Sequence, residues 1–211
     1  PAGGSILYVT KQDSYTYLKV SNYDGTRARE LDIKKEEDRS LFPLWNAGEN
    51  KVIYLKDDKH LTIMNANATN PQKLSRKTIV PSSYWLTADK KKVKLGYTES
   101  GIIWRIFTMD EKGRKHKLIF REVCESITQP KWSNDGKTVV TAANYGMDST
   151  IFRMDKDGAF KTKLYTTRHE ITEMEWSPAL THAKIAFLVN KTRGQELWVI
   201  NRDGSSPIRL Y

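Results

Sequence analysis

Pro130-Lys131-Trp132-Ser133-Asn134-Asp135-Gly136-Lys137-Thr138-Val139-Val140-Thr141 is the stretch that decides the fold. A short β-rich run ends in Trp-Ser, a polar turn follows, and a second β-rich run leaves it. Asp-Gly between such runs is a strong hairpin signal, because glycine tolerates the positive φ of the turn. A polar loop near Tyr145-Gly146 leads into Thr150-Ile151-Phe152-Arg153-Met154. Asp157-Gly158 turns the chain again, into Lys161-Thr162-Lys163-Leu164-Tyr165. The unit is four short strands, A to D, joined by tight turns.

The same unit recurs along the chain. Trp stands at Trp45, Trp85, Trp132 and Trp176, with spacings of 40, 47 and 44 residues. A polar turn ending in a small residue recurs at Asn22-Tyr23-Asp24-Gly25, Asn65-Ala66-Asn67-Ala68, Asp110-Glu111-Lys112-Gly113, Asp155-Lys156-Asp157-Gly158 and Asn201-Arg202-Asp203-Gly204. Its last residues lie 43, 45, 45 and 46 apart. Two independent markers keep one period of roughly 40–50 residues, that of a propeller blade. Strand B is read again at Ile6-Leu7-Tyr8-Val9, Val52-Ile53-Tyr54-Leu55, Val93-Lys94-Leu95-Gly96 and Ile185-Ala186-Phe187-Leu188. No amphipathic helix of about ten or more residues fits between the strands. The expected fold is all-β: a β-propeller of about five four-stranded blades in one domain, 1–211, with repeats at 5–32, 41–75, 82–121, 129–166 and 173–211. Face-to-face blades around an axis leave only short edges.

The first repeat begins directly with strand B at Ile6, so its blade is expected to lack the innermost strand. The expectation is therefore either a five-bladed ring closed by side-chain packing or part of a six-bladed one. If the ring does not close, an end face is left open, and Ile6, Tyr8, Trp198 and Ile200 are expected on it.

The motifs also carry a resemblance. Trp132-Ser133-Asn134-Asp135-Gly136-Lys137 and Trp176-Ser177-Pro178 resemble the W-S-P-D-G-K turn of the TolB-like (WD40-like, PD40-type) propeller repeat, and Asn201-Arg202-Asp203-Gly204 with Ile208-Arg209-Leu210 resembles its N-A-D-G…R-R-L-T segment. The resemblance covers nearly the whole chain and is clearest in repeats four and five. It implies a propeller whose channel mouth receives partner peptides, an extracytoplasmic location (periplasmic or cell-surface), and frequently six blades. Prolyl-oligopeptidase-like hydrolases carry similar repeats as a gate, with the hydrolase domain elsewhere in the chain.

Chemistry is sparse in the sequence. The 211 residues hold one cysteine, Cys124, so there is no internal disulfide and no Cys-based zinc site. His60, His116, His169 and His182 fall in four different repeats and share no helical metal-ligand spacing. Neither a G-x-S-x-G elbow nor a phosphate loop is present. Asp-Gly turns offer one carboxylate each, too few for calcium. No apolar run reaches transmembrane length, and no signal peptide opens the residues shown. No cofactor, no metal and no catalytic residue is expected, and the chain is expected not to be an enzyme.

Binding surfaces are read from the loops. The rim built by the B–C and D–A connections carries Tyr15, Trp104, Tyr145, Arg168, His169 and Arg193. Exposed aromatics beside arginine are what a protein-binding hot spot is made of. The A–B and C–D rim is basic, with Lys90, Lys91, Lys92, Arg114, Lys115 and Lys117, in a chain of net charge +10. An anionic surface is a possible contact there. Nucleic acid is not expected, because the basic hairpins lack interleaved aromatics. The sequence reading is a non-catalytic scaffold for a protein or peptide partner. Its alternatives are the gate of a prolyl-oligopeptidase-like hydrolase and a carbohydrate- or small-ligand-binding propeller.

Overall fold

The computed structural model describes residues 4–35, 43–45, 51–56, 60–74, 84–86, 94–110, 114–179 and 181–211. Among the described residues twenty strands form five antiparallel sheets, and no helix occurs. The first sheet is β1 (Ser5–Gln12), β2 (Tyr15–Asn22) and β3 (Arg29–Lys35). The second is β4 (Leu44–Trp45), β5 (Lys51–Lys56), β6 (His60–Asn65) and β7 (Gln72–Lys73). The third is β8 (Tyr84–Leu86), β9 (Lys94–Glu99), β10 (Ile103–Asp110) and β11 (Lys117–Val123). The fourth is β12 (Ser126–Ile127), β13 (Lys131–Trp132), β14 (Thr138–Asn144), β15 (Ser149–Asp155) and β16 (Thr162–Thr167). The fifth is β17 (Ile171–Trp176), β18 (Lys184–Lys191), β19 (Gly194–Asn201) and β20 (Ile208–Arg209).

Every sheet is a meander, as hairpin turns dictate. The decisive turn shows why. The Ser133 hydroxyl donates to the Asp135 carboxylate at 2.6 Å, the Lys137 N–H donates to the same oxygen at 3.0 Å, and Gly136 takes φ +66°. The Thr138 N–H in turn donates to Ser133 Oγ, and the Lys184 N–H does the same to Ser177 Oγ one repeat later. The C–D turns repeat a second device. Asn22, Asn65 and Asn201 each donate a side-chain N–H to the hydroxyl of Thr26, Thr69 and Ser205, respectively. Each of those hydroxyls, with its own backbone N–H, donates to Asp24, Asn67 or Asp203.

The fourth sheet differs from the four-strand expectation. Its inner strand is split, and β12 and β13 both pair with β14. Pro130 lacks the N–H a ladder needs. Thr128 fills the break: its N–H donates to the Ala142 carbonyl, and the Ala142 N–H donates to its hydroxyl.

Four apolar clusters hold consecutive sheets face to face. Leu18, Val20 and Leu31 of the first sheet pack on Val52, Tyr54 and Met64 of the second. Ile53, Leu55, Leu61 and Ile63 meet Met109 and Phe107 of the third. Ile106, Ile119 and Phe120 meet Trp132, Val139, Phe152 and Met154 of the fourth. Val140, Ala142 and Ile151 meet Trp176, Ile185, Phe187 and Ile200 of the fifth. Trp132 and Trp176 are both buried in these seams. None of the four clusters contains residues of both the first and the last sheet. The architecture is propeller-like, and among the described residues no sheet is closed upon itself.

One expectation about the end faces is corrected. Ile200 is fully buried and Trp198 packs beside it, both against the fourth sheet. The outer face of the fifth sheet instead carries Ala186, Leu188, Leu197 and Val199, the other phase of the same strands. Ile6 is exposed, as expected.

Candidate functional site

The B–C and D–A rim is assembled from hairpin ends, which is where each expected residue lies. Tyr15 opens β2 opposite Gln12 and is exposed. Arg193 sits exposed in the β18–β19 hairpin. Arg168, exposed, and His169, half-buried, form the bend between β16 and β17. Tyr145 follows β14, with its N–H donating to the Asp148 carbonyl. Trp104 lies within β10, half-buried, and is paired with Glu122 of β11.

Trp104 and Tyr145 are brought together through Glu122. The Tyr145 hydroxyl faces the Glu122 carboxylate, and burial, then the charge of Glu122, raises its pKa above the ordinary tyrosine value. Cys124 belongs to the same cluster. Burial pushes its thiol up to about 11, Glu122 adds to that, and Lys161 opposes it. Lys161 pairs with Glu122 and lies 4.5 Å from the ring centres of both Phe120 and Phe152. This seam between the third and fourth sheets is therefore a polar cluster of Glu122, Cys124, Tyr145 and Lys161. Sequence reading missed Glu122, and it read Lys161 only as one more charge of the basic rim. They stand 39 positions apart, close to one repeat, so the period itself was the available signal.

The basic rim divides. Arg114, Lys115 and Lys117 are exposed. Arg114 reaches Asp110 at 3.6 Å, and Lys117 reaches Asp157 of the next sheet at 3.2 Å. Lys90, Lys91 and Lys92 lie outside the described residues.

A cavity of about 500 Å³ opens on the fifth sheet, bordered by Lys131, Glu173, Glu175, Ala186, Leu188 and Leu197. Lys131 and Glu175 form an ion pair at 2.8 Å beside it. Among the described residues no group of three or more His, Cys, Asp or Glu side chains could hold a metal ion. No described helix is long and apolar enough to cross a membrane.

No protein-family model matches the chain, and no curated protein matches it in sequence. Solved structures match its shape. TolB from Acinetobacter baumannii is 16% identical, with a TM-score of 0.69 over 98% of this chain and 52% of its own. An oligogalacturonate lyase in complex with manganese is 13% identical, with a TM-score of 0.70 over 99% of this chain and 62% of its own. Puromycin hydrolase is 15% identical, with a TM-score of 0.73 over 100% of this chain and 38% of its own. The chain thus spans between about a third and two-thirds of the length of these three proteins. At such identities the likeness shows the fold, an all-β propeller-like one. The expectation that the chain is not an enzyme is corrected here. A lyase and a hydrolase match as well as TolB does, so this fold gives no ground for excluding catalysis.

Proposed function

We propose that this chain is the propeller portion of a larger prolyl-oligopeptidase-like hydrolase, acting as a gate through which small peptide-like substrates pass. The observation that carries the reading is the superposition on puromycin hydrolase, which takes in the whole of this chain and only 38% of that protein. A gate needs no catalytic group of its own. It needs a rigid blade stack and a rim that selects by size and charge. Exposed Tyr15 and Tyr145 offer faces for stacking, Arg168 and Arg193 attract carboxylates, and His169 and Trp104 line the same rim.

The manganese lyase supports the rival, carbohydrate-active reading less well. The described residues do not fit a manganese site, since no three ligating side chains converge. The likeness to TolB supports an extracytoplasmic location, which cell fractionation tests.

The experiment is active-site labelling of the native-length protein, captured with an antibody raised against this chain. A fluorophosphonate probe should label the captured protein, and it should cleave a chromogenic aminoacyl amide. In it, Arg168→Ala with Tyr145→Ala should change KM for a tetrapeptide amide more than for a single-residue amide. Captured protein that takes no label and cleaves neither substrate overturns the reading.

A further inference from the structure

The apolar seam between the fourth and fifth sheets gives way, toward the A–B and C–D rim, to a guanidinium. The strand register shows how this departs from the repeat. Trp132 pairs with Val139, Trp45 with Val52 and Trp176 with Ile185, so Val140, Ile53 and Ala186 occupy one repeat position. Their partners on the next strand are Arg153, Ile63 and Val199. The second and fifth sheets place an aliphatic side chain where the fourth places a charge.

That charge is held but not cancelled. Arg153 is half-buried, and its Nη1 donates to the Arg202 carbonyl at 3.0 Å. Half-buried Lys131, Lys156, Lys191 and Arg202 each have a carboxylate within 3.7 Å, from Glu175, Asp157, Glu196 and Asp135 respectively. Among the described residues no carboxylate pairs with Arg153 in this way. A half-buried cation without a counter-ion is costly to keep.

Arg153 opens on a cavity of about 380 Å³, bordered also by His182, Arg202 and Asp203. Three basic side chains thus reach one place from β15, from the β17–β18 turn and from the β19–β20 turn. Arg202 is fixed by the Thr138 hydroxyl, by Asp135 at 3.5 Å and by the Trp176 ring, 6.0 Å from its guanidinium. His182 holds φ +56°, a left-handed backbone that a β-carbon disfavours. Asp203 Oδ1 accepts from the Ser205 hydroxyl and N–H. Those two bonds hold its carboxyl below the ordinary aspartate range, and the charge of Arg153 adds to them.

A bare oxyanion is drawn to the arginines and repelled by Asp203. A ligand with a hydroxyl beside its oxyanion satisfies both, giving the guanidinium groups acceptors and Asp203 a donor. Guanidinium forks match phosphate oxygens, and basic groups arriving from three segments suit a tetrahedral anion better than a planar one. We infer that this cavity binds a phosphate monoester of a small polyhydroxylated molecule, a sugar phosphate by class. Arg153, Arg202 and His182 hold the phosphate, and Asp203 accepts from a ring hydroxyl. The cavity lies on the rim opposite the proposed gate surface and does not depend on that reading.

Calorimetric titration of the native-length protein with glucose 6-phosphate, inorganic phosphate and glucose tests the site. Glucose 6-phosphate should bind about ten-fold or more tightly than inorganic phosphate, and glucose should give no heat. Arg153→Met, which restores an apolar side chain as at Ile63 and Val199, should keep or raise the unfolding midpoint. It should weaken glucose 6-phosphate about ten-fold or more. Asp203→Asn should tighten inorganic phosphate and so narrow the preference for the sugar phosphate. His182→Gly relieves the left-handed backbone, so it should raise the unfolding midpoint while weakening glucose 6-phosphate, a pairing that a merely structural histidine does not give. No binding of glucose 6-phosphate by the parent, parent-like binding by Arg153→Met, or inorganic phosphate bound as tightly as the sugar phosphate overturns the inference.

Discussion

The indole N–H of Trp176 donates to the carbonyl of Lys131 across the seam between the fifth and fourth sheets, at 3.1 Å. The ring itself is buried among Val140, Ala142 and Ile185. The guanidinium of Arg202 lies 6.0 Å from its centre, and Arg202 also reaches Asp135 and Thr138 of the fourth sheet.

Trp176→Ala should therefore cost about 3–5 kcal/mol, the usual range for a large buried aromatic. Trp132→Ala, in the preceding seam, should fall in the same range. Thermal denaturation measures both. Any loss of ligand binding should track the loss of folded protein.

Acid should weaken the C–D turns, and the sign follows from their hydrogen bonds. The Thr26 hydroxyl and N–H hold the Asp24 carboxyl below the ordinary aspartate range, and Ser205 does the same for Asp203. A depressed folded pKa gives stability that is present above the unfolded value, about 4, and is lost as pH falls through the folded one. Asn67 makes the same two bonds without a charge. Asp24→Asn with Asp203→Asn should thus fold at neutral pH and show a flatter unfolding midpoint between about pH 5 and pH 2. Parent and variant losing stability equally over that interval would remove these carboxylates from the acid response.

Cys124 should be a slow nucleophile. With its thiol pushed up to about 11, the thiolate is scarce at neutral pH. Its alkylation by iodoacetamide at about pH 8 should run about two orders of magnitude below that of an ordinary thiol. Glu122→Gln should speed the reaction by removing a neighbouring negative charge.

Reversing Arg114, Lys115 and Lys117 to Glu should alter stability little, because partly exposed pairs such as Lys117–Asp157 contribute about 1 kcal/mol or less. If this rim meets an anionic surface, retention on acidic vesicles should drop and depend steeply on salt. Equal retention of variant and parent at low salt would leave these residues as solvated hairpins.

Much of the fold was legible because turn chemistry is local. Asp135-Gly136 and Asp203-Gly204 announce their hairpins within four residues, and Trp45, Trp132 and Trp176 mark three of the seams. Strand faces were less legible. Alternation separates Phe187 and Ile200 from Leu188 and Val199, yet both sets are apolar, so the pattern does not say which one meets a neighbouring sheet. Pro130 hid a split strand because Thr128 repairs the ladder from a position that looks like loop. The polar cluster was legible only in part. Tyr145 and Trp104 are visible as rim aromatics, but their meeting at Glu122 depends on pairing across sheets, which no local spacing encodes.

Because each apolar cluster ties a sheet only to its immediate neighbours, the molecule behaves as a short row rather than a single knot. Fraying begins at the ends of the row, where a sheet has one seam to lose, and moves inward one sheet at a time. Amide protons of β14 and β15, whose sheet is gripped from both sides, should exchange with solvent late, and those of β1 and β20 should exchange first. Any partner that covers an end face thereby slows the exchange of the whole row.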